Sequence, residues 1–242
     1  MSHIDLTHAG GGRSRAPSAS AGAAPQPRWL ARVPHVVILS RVALAFVVLA
    51  LFARPFPFPA AGLVLTVVAI AMDGLDGWLA RRLGVASDVG AVLDITADRI
   101  VEHVLWIYFT VAGLVPLWVP LVIVSRSFLV DAARGVAATH GKTPFGARTM
   151  QRSAVSRFLV ASRFMRSTYG VAKTAAFVLL GAVLTLRAGA EAGVALASPA
   201  HAVWVGALAT AVAMATVGIC LARGVPVIWD ARVYLRPGLS PR

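Results

Sequence analysis

The sequence predicts an all-α, polytopic membrane protein: six transmembrane helices preceded by a short N-terminal interfacial helix. Three observations carry this reading. Of 242 residues, 58% are hydrophobic and only 14% charged, with a mean hydropathy of +0.76, which is too apolar for an ordinary soluble domain and fits one membrane domain by length. Apolar runs of membrane-spanning length recur six times, separated by prolines, glycines or basic residues. The charge is lopsided, 23 Lys and Arg against 10 Asp and Glu for a net +13. The bases fall between the apolar runs, where they set topology and attract anionic membrane lipids, so no nucleic-acid partner is expected.

In chain order, residues 1–27 are rich in Gly, Ser, Ala and Pro without an apolar run, and are predicted to be a disordered tail with no signal-peptide core. Arg28–Val33 combines Trp29 with two arginines, a pattern suited to a segment at the headgroup level. The first span is predicted over His35–Ala53, and the prolines of the segment from Arg54 to Pro59 stop it. The second covers Ala60–Leu83, the third Val89–Ala112 and the fourth Pro116–Ala137. From Asp131 to Glu191 no acid occurs between a series of arginines and lysines, so much of 138–168 reads as a basic segment at the membrane surface. Val155, Phe158, Leu159 and Ser162 share one face of a predicted interfacial helix within it. The fifth span runs from Tyr169 to Leu186 and the sixth from Ala202 to Ala222. The membrane domain is thereby predicted over 28–223, and 224–242 as a short basic tail. Six spans put both termini on one side, with Arg81, Arg82 and the basic segment, while Arg54 and Arg187 lie opposite. The excess of positive charge assigns the first side to the cytoplasm of a bacterial inner membrane.

The functional signal lies in the second and third spans. Of ten carboxylates, six (Asp73, Asp76, Asp88, Asp94, Asp98 and Glu102) fall within thirty residues. Asp73 and Asp76 are three apart and Asp94 and Asp98 four apart, so each pair shares a helix face. An ionised side chain at mid-bilayer costs about 2.5–3.5 kcal/mol even on the lenient insertion scale, so these acids need cations. Oxygen-only donors suit two hard divalent ions, Mg²⁺ or Mn²⁺. Gly77, Ala80 and Gly90 leave the helix faces bare beside the acids, and Arg81 offers a positive fork to phosphate.

The pattern Asp73-x2-Asp76-Gly77-x2-Ala80-Arg81-x8-Gly90-x3-Asp94-x3-Asp98 resembles, without a departure, the signature of the CDP-alcohol phosphatidyltransferases. The resemblance implies that the four aspartates bind two divalent metals, that Asp76, Gly77, Ala80, Arg81 and Gly90 seat the CDP group, and that Asp98 is the catalytic base. The implied reaction transfers a phosphatidyl group from CDP-diacylglycerol to a small hydroxyl acceptor, with release of CMP. A homodimer is also implied.

Within the family the chain is most similar to the phosphatidylglycerophosphate synthases, which points to glycerol 3-phosphate as acceptor. Pro34 and Arg41 keep the spacing of that branch's P-N-x-L-T-x-x-R segment, although His35 and Ile38 replace its Asn and Thr. Arg126 and Arg134 match two arginines eight apart on the fourth span, with Ser127 where a Glu is usual, and Lys173-Thr174 matches part of G-K-x-K-T. Arg41, Arg126, Arg134 and Lys173 are therefore candidate phosphate contacts. Each has a plainer alternative: Arg41 snorkelling to the interface, and the fourth-span arginines pairing with Asp131. Asp98-Arg99 is closer to the inositol-using branch, so inositol, inositol phosphate, serine or another lipid stay open as acceptors. Glu102 is expected to partner Arg99, Arg126 or His103 rather than ligate a metal. The single cysteine, Cys220, forms no intrachain disulfide, and no His or Cys spacing suggests zinc.

A divalent-cation transporter would also explain acids inside the membrane, but gives no reason for Gly77, Ala80, Arg81 and Gly90 at their positions. A scaffold that has lost catalysis is disfavoured because every motif acid is present.

Overall fold

The computed structural model describes residues 33–83, 88–141, 149–195 and 197–235, without the side chains of 33–35, 73–81, 83, 88–89, 91, 199 and 235. The described residues form seven α-helices and no strand: α1 (Val33–Phe52), α2 (Phe58–Leu83), α3 (Asp88–Val111), α4 (Trp118–Thr139), α5 (Ala154–Ala161), α6 (Arg163–Glu191) and α7 (Pro199–Leu235). Six long helices thus stand where spans were predicted, and α5 where a short surface helix was. The N-terminal tail and almost all of the Arg28–Val33 segment lie outside the described residues.

The breaks after α3, α5 and α6 have local causes. At the ends of α3 and α6 the chain turns through Gly113 (φ 71°) and Gly193 (φ 75°). Leu114 N–H donates to the Phe109 carbonyl at 2.9 Å and Gly113 N–H to that of Thr110 at 3.0 Å, and Val194 N–H donates to Gly189 at 2.9 Å and Gly193 N–H to Ala190 at 3.1 Å; these are the paired hydrogen bonds of a Schellman cap, whose left-handed residue glycine adopts without a Cβ penalty. Ser162 separates α5 from α6: its backbone is extended, and its hydroxyl accepts from Met165 N–H, capping α6. The fifth helix-length element therefore starts at Arg163, six residues before the predicted Tyr169, because a capping serine rather than the loss of polarity sets its boundary.

The last helix differs more. Predicted to end near Ala222, α7 continues through Pro226 to Leu235, so the boundary expected at 223/224 falls inside a helix. At 37 residues it is about 55 Å long, well beyond the hydrocarbon thickness. Its extension is anchored by a second, smaller core in which Val130, Ala133 and Ala137 of α4, Met150, Val160 of α5, and Val227 and Ala231 of α7 are buried together. Asp230 fixes the register there: its carboxylate accepts from Ser156 Oγ at 2.6 Å and from Arg152 N–H at 3.3 Å. On α5, Val155 and Phe158 face outward, whereas Ser156 and Val160 are buried.

The long helices close a ring in the contact order α3, α1, α2, α6, α7, α4 and back to α3. Its apolar interior is built on Phe52, Trp106, Phe109, Phe177 and Leu180, with Trp106 set edge-on to Phe177 at 5.1 Å between centroids. Gly181 lets α6 close on this corner, since a Cβ there would meet Phe52 Cζ at 2.9 Å. Outside, Val111, Val171, Val203 and Trp204 are exposed, while Arg41, Thr66, Glu102 and Thr216 are buried inside. That inversion of soluble-protein patterning is what hydrocarbon requires. By length and composition α6 and α7 can each cross a membrane, and Val36–Phe52 and Phe58–Met72 are shorter apolar helical stretches.

Asp230→Ala would leave the buried Ser156 hydroxyl and the Arg152 amide without their acceptor. The expected loss is about 1–3 kcal/mol, read as a lowered midpoint of thermal denaturation in detergent; an unchanged midpoint would contradict this account of the α5 to α7 joint.

Candidate active site

The ring encloses a cavity of about 860 Å³ bounded by residues of α1, α2, α3, α4, α6 and α7. It gathers Arg41, Asp94, Asp98, Arg126, Arg134 and Lys173, six of the residues singled out in the sequence, from four different helices. Asp73, Asp76, Gly77, Ala80 and Arg81 lie on the last turns of α2, but their side chains are outside the described residues. Gly90 sits on the first turn of α3, half-buried, and is not among the cavity-lining residues.

The acid wall is α3. Asp94, Asp98 and Glu102 follow at one-turn intervals, which stacks them on one face. Each meets a cation or donor from another helix. Arg41 of α1 reaches Asp94 Oδ1 at 3.1 Å and its backbone carbonyl at 3.4 Å. Lys173 Nζ of α6 donates to Asp98 Oδ1 at 2.9 Å and to Glu102 Oε2 at 3.2 Å. Glu102 is almost completely buried, and its other oxygen accepts from the Tyr169 hydroxyl. The expected partners of Glu102, namely Arg99, Arg126 and His103, are replaced by Lys173 and Tyr169, because α6 presents both across the ring at an i, i+4 spacing. Arg99 turns instead to α4, donating to Ser127 Oγ at 2.6 Å and to Asp131 Oδ1 at 3.3 Å.

The side chains of Asp94 and Asp98 remain 46% and 44% exposed, and both line the cavity. A pair of half-open carboxylates one turn apart fits a hard divalent cation by donor type. Among the described residues no group of three or more His, Cys, Asp or Glu gathers at ligating range, and the other two motif aspartates fall outside the described side chains.

A second set of lining residues is basic. Arg126 and Arg134 of α4, Arg166 of α6 and Arg223 of α7 all line the cavity, near enough for their charges to repel one another. Arg223 lies over the Tyr169 ring at 5.3 Å. The Nε atoms of Arg126 and Arg223 are buried without a hydrogen-bond partner among the described residues. Gly224 admits the Arg126 stem: a Cβ at that position would lie 2.6 Å from Arg126 Cγ. Guanidinium forks gathered in this way have the donor chemistry that suits an anion. Arg166 and Arg223 were not singled out in the sequence: Arg166 is one of many bases in its stretch, and Arg223 looked like the end of the last span. Their only distinguishing signal is position on long helices whose extent was underestimated.

With the geometry described, similarity to known proteins adds a family. The match to CDP-alcohol phosphatidyltransferase covers residues 31–217, most of the chain. The chain is 29% identical over 123 residues to the CDP-diacylglycerol–glycerol-3-phosphate 3-phosphatidyltransferase of Bacillus subtilis (46% of this chain, 64% of the relative). It is 36% identical over 121 residues to the cardiolipin synthase (CMP-forming) of Streptomyces coelicolor (46% and 54%). It is also 36% identical over 121 residues to a CDP-diacylglycerol–glycerol-3-phosphate 3-phosphatidyltransferase of Pseudomonas fluorescens (48% and 61%). The matched stretch spans less than two thirds of the length of each of these relatives. An intact eight-position motif, a cavity lined by both acids and arginines, and a family match across three quarters of the chain lead to one conclusion: the chain belongs to the CDP-alcohol phosphatidyltransferase family.

Proposed function

We propose that the protein transfers a phosphatidyl group from CDP-diacylglycerol to glycerol 3-phosphate, releasing CMP. The observation that supports this most is that one cavity is lined both by the carboxylates of α3, an acid wall, and by four arginines of α4, α6 and α7, an arginine wall. A diphosphate drawn to the acid wall needs divalent cations, whereas the arginine wall recognises an anion directly. Two Mg²⁺ or Mn²⁺ ions, held by Asp73, Asp76, Asp94 and Asp98, would supply neutralisation of the diphosphate and of the charge moving onto the leaving CMP. Asp76, Gly77, Ala80, Arg81 and Gly90 would seat the CDP group.

In the transfer, Asp98 accepts the proton of the acceptor hydroxyl as its oxygen attacks the phosphorus that carries diacylglycerol. A new P–O bond forms, the bond to CMP breaks, and CMP leaves with the electron pair. Arg126, Arg134, Arg166 and Arg223 hold the acceptor phosphate so that its hydroxyl points at the acid wall. Arg41 orients Asp94, and Lys173 orients Asp98.

The cluster also bears on the acceptor. Four guanidiniums are compensated better by the dianion of a phosphate monoester than by the single charge of a lipid phosphodiester. The names of the Bacillus and Pseudomonas relatives agree with glycerol 3-phosphate. The name of the Streptomyces relative, cardiolipin synthase, favours a second reading in which the acceptor is itself a lipid. Both readings place the enzyme in a bacterial inner membrane, with termini and cavity toward the cytoplasm, as the side of Arg81, Arg82 and the basic 138–168 segment suggests. Family resemblance adds a homodimer.

Purified protein given CDP-diacylglycerol and Mg²⁺ is expected to release CMP with glycerol 3-phosphate, and the release is expected to vanish in Asp98→Asn. Release only with phosphatidylglycerol would favour the second reading, and release with inositol, inositol phosphate or serine would reassign the acceptor. No release with any of them would refute the reaction.

Arg223→Ala and Gly224→Ala are both expected to raise the KM for glycerol 3-phosphate, the first by removing a charge-assisted donor, about 1.5–3 kcal/mol or roughly ten- to a hundredfold, the second by displacing Arg126. The KM for CDP-diacylglycerol should stay near that of the parent. Equal rises in both constants would argue against separate walls.

A further inference from the structure

Glu102 is the acid that the transfer chemistry leaves without a role, and it is the most buried carboxylate at the cavity. Its side chain is 3% exposed. It sits one turn deeper than Asp98, at the level where the cavity gives way to the apolar packing of Leu105, Trp106 and Phe109. A carboxylate in that place costs free energy unless both oxygens are matched, and both are: Tyr169 donates to one and Lys173 to the other. Tyr169 and Lys173 are one turn apart on α6, as Asp98 and Glu102 are on α3. These helices are not adjacent in the ring, so the four side chains form a bridge across its inside.

The bridge has two outer ends. At one, Lys173 divides its ammonium between Glu102 and Asp98. At the other, the Tyr169 ring backs the Arg223 guanidinium. Asp98, Lys173, Glu102, Tyr169 and Arg223 are therefore a continuous chain of contacts from the acid wall to the arginine wall. We propose that Glu102 is a positioning residue that holds the two walls in register: it draws part of Lys173 away from Asp98, leaving that carboxylate free to face the acceptor, and it fixes the Tyr169 ring beneath Arg223. Without its charge, Lys173 commits to Asp98 alone and the carboxylate is turned from the acceptor. Glu102 acts through these neighbours and touches neither substrate.

This inference rests on the transferase reading above, and its test keeps the two apart. CMP release by Glu102→Gln, Tyr169→Phe, Lys173→Met and the Glu102→Gln/Lys173→Met pair is compared with the parent, with denaturation midpoints measured alongside. Glu102→Gln is expected to lower kcat roughly ten- to a hundredfold, the range for residues that orient a reacting group, with the KM for CDP-diacylglycerol unchanged. Because Glu102 acts on Asp98 through Lys173, the double variant should be no slower than Lys173→Met alone. Tyr169→Phe keeps every charge in place and removes one donor to a buried carboxylate, so it should lower the midpoint modestly and raise the KM for glycerol 3-phosphate through a loosened Arg223. Parent-like kcat in Glu102→Gln, multiplicative losses in the double variant, or a loss of kcat matched by a fall in the midpoint would each overturn the proposal. If Lys173→Met fails to fold, Glu102→Gln and Tyr169→Phe still decide it. A parent that releases no CMP with any acceptor counts against the reaction, whereas an active parent matched by Glu102→Gln counts against the bridge alone.

Discussion

Negative charge inside an apolar helix ring is the constraint to which the rest of this structure answers. Three carboxylates on successive turns of α3 cannot be left to hydrocarbon, and water reaches only the upper two. The compensation comes from across the ring: Arg41 from α1 for Asp94, and Lys173 from α6 shared by Asp98 and Glu102. These pairings tie helices that are distant in sequence. They also explain why the most buried polar groups sit on the inner faces of helices whose outer faces carry exposed Val and Trp.

The same pairings leave chemistry available. Asp94 and Asp98 keep nearly half of their side-chain surface open, whereas Glu102, closed by Tyr169 and Lys173, does not. A graded series on one helix face thus runs from accessible donors to a buried strut. The arginine wall is arranged on the opposite principle, with like charges held together by covalent placement on α4, α6 and α7 and by close approach at Gly224. The joint that fixes α7 beyond Arg223, with Asp230 gripping Ser156 and the Arg152 amide, keeps that wall from relaxing outward.

Much of this was legible in the letters. Apolar run lengths located the six long helices, and the spacing of Asp94 and Asp98 put them on one face, as found. Arg41, Arg126, Arg134 and Lys173 were named from the resemblance to the phosphatidylglycerophosphate synthases, and all four line the cavity. What the letters hid has physical reasons. The predicted last span ends near Ala222, but tertiary packing in the smaller core carries α7 on through Pro226 to Leu235, so Arg223 belongs to the cavity rather than to a span's end. Arg166 could not be separated from its neighbours because charge alone does not say which arginine points inward. The partner of Glu102 was misjudged because intrahelical and next-helix neighbours are visible in sequence, whereas a bridge across a ring is not. The α2 half of the motif lies outside the described side chains, so its contribution still rests on the motif.

The central claim is that the acids of α3 are a divalent-cation site and not merely partners for Arg41 and Lys173. Titrating Mn²⁺ into the purified protein in detergent and following the free-ion signal by electron paramagnetic resonance tests it directly. The account predicts saturable Mn²⁺ binding that is lost in Asp94→Asn/Asp98→Asn while the protein remains folded. Binding that survives in that variant, or its absence in the parent, would contradict it.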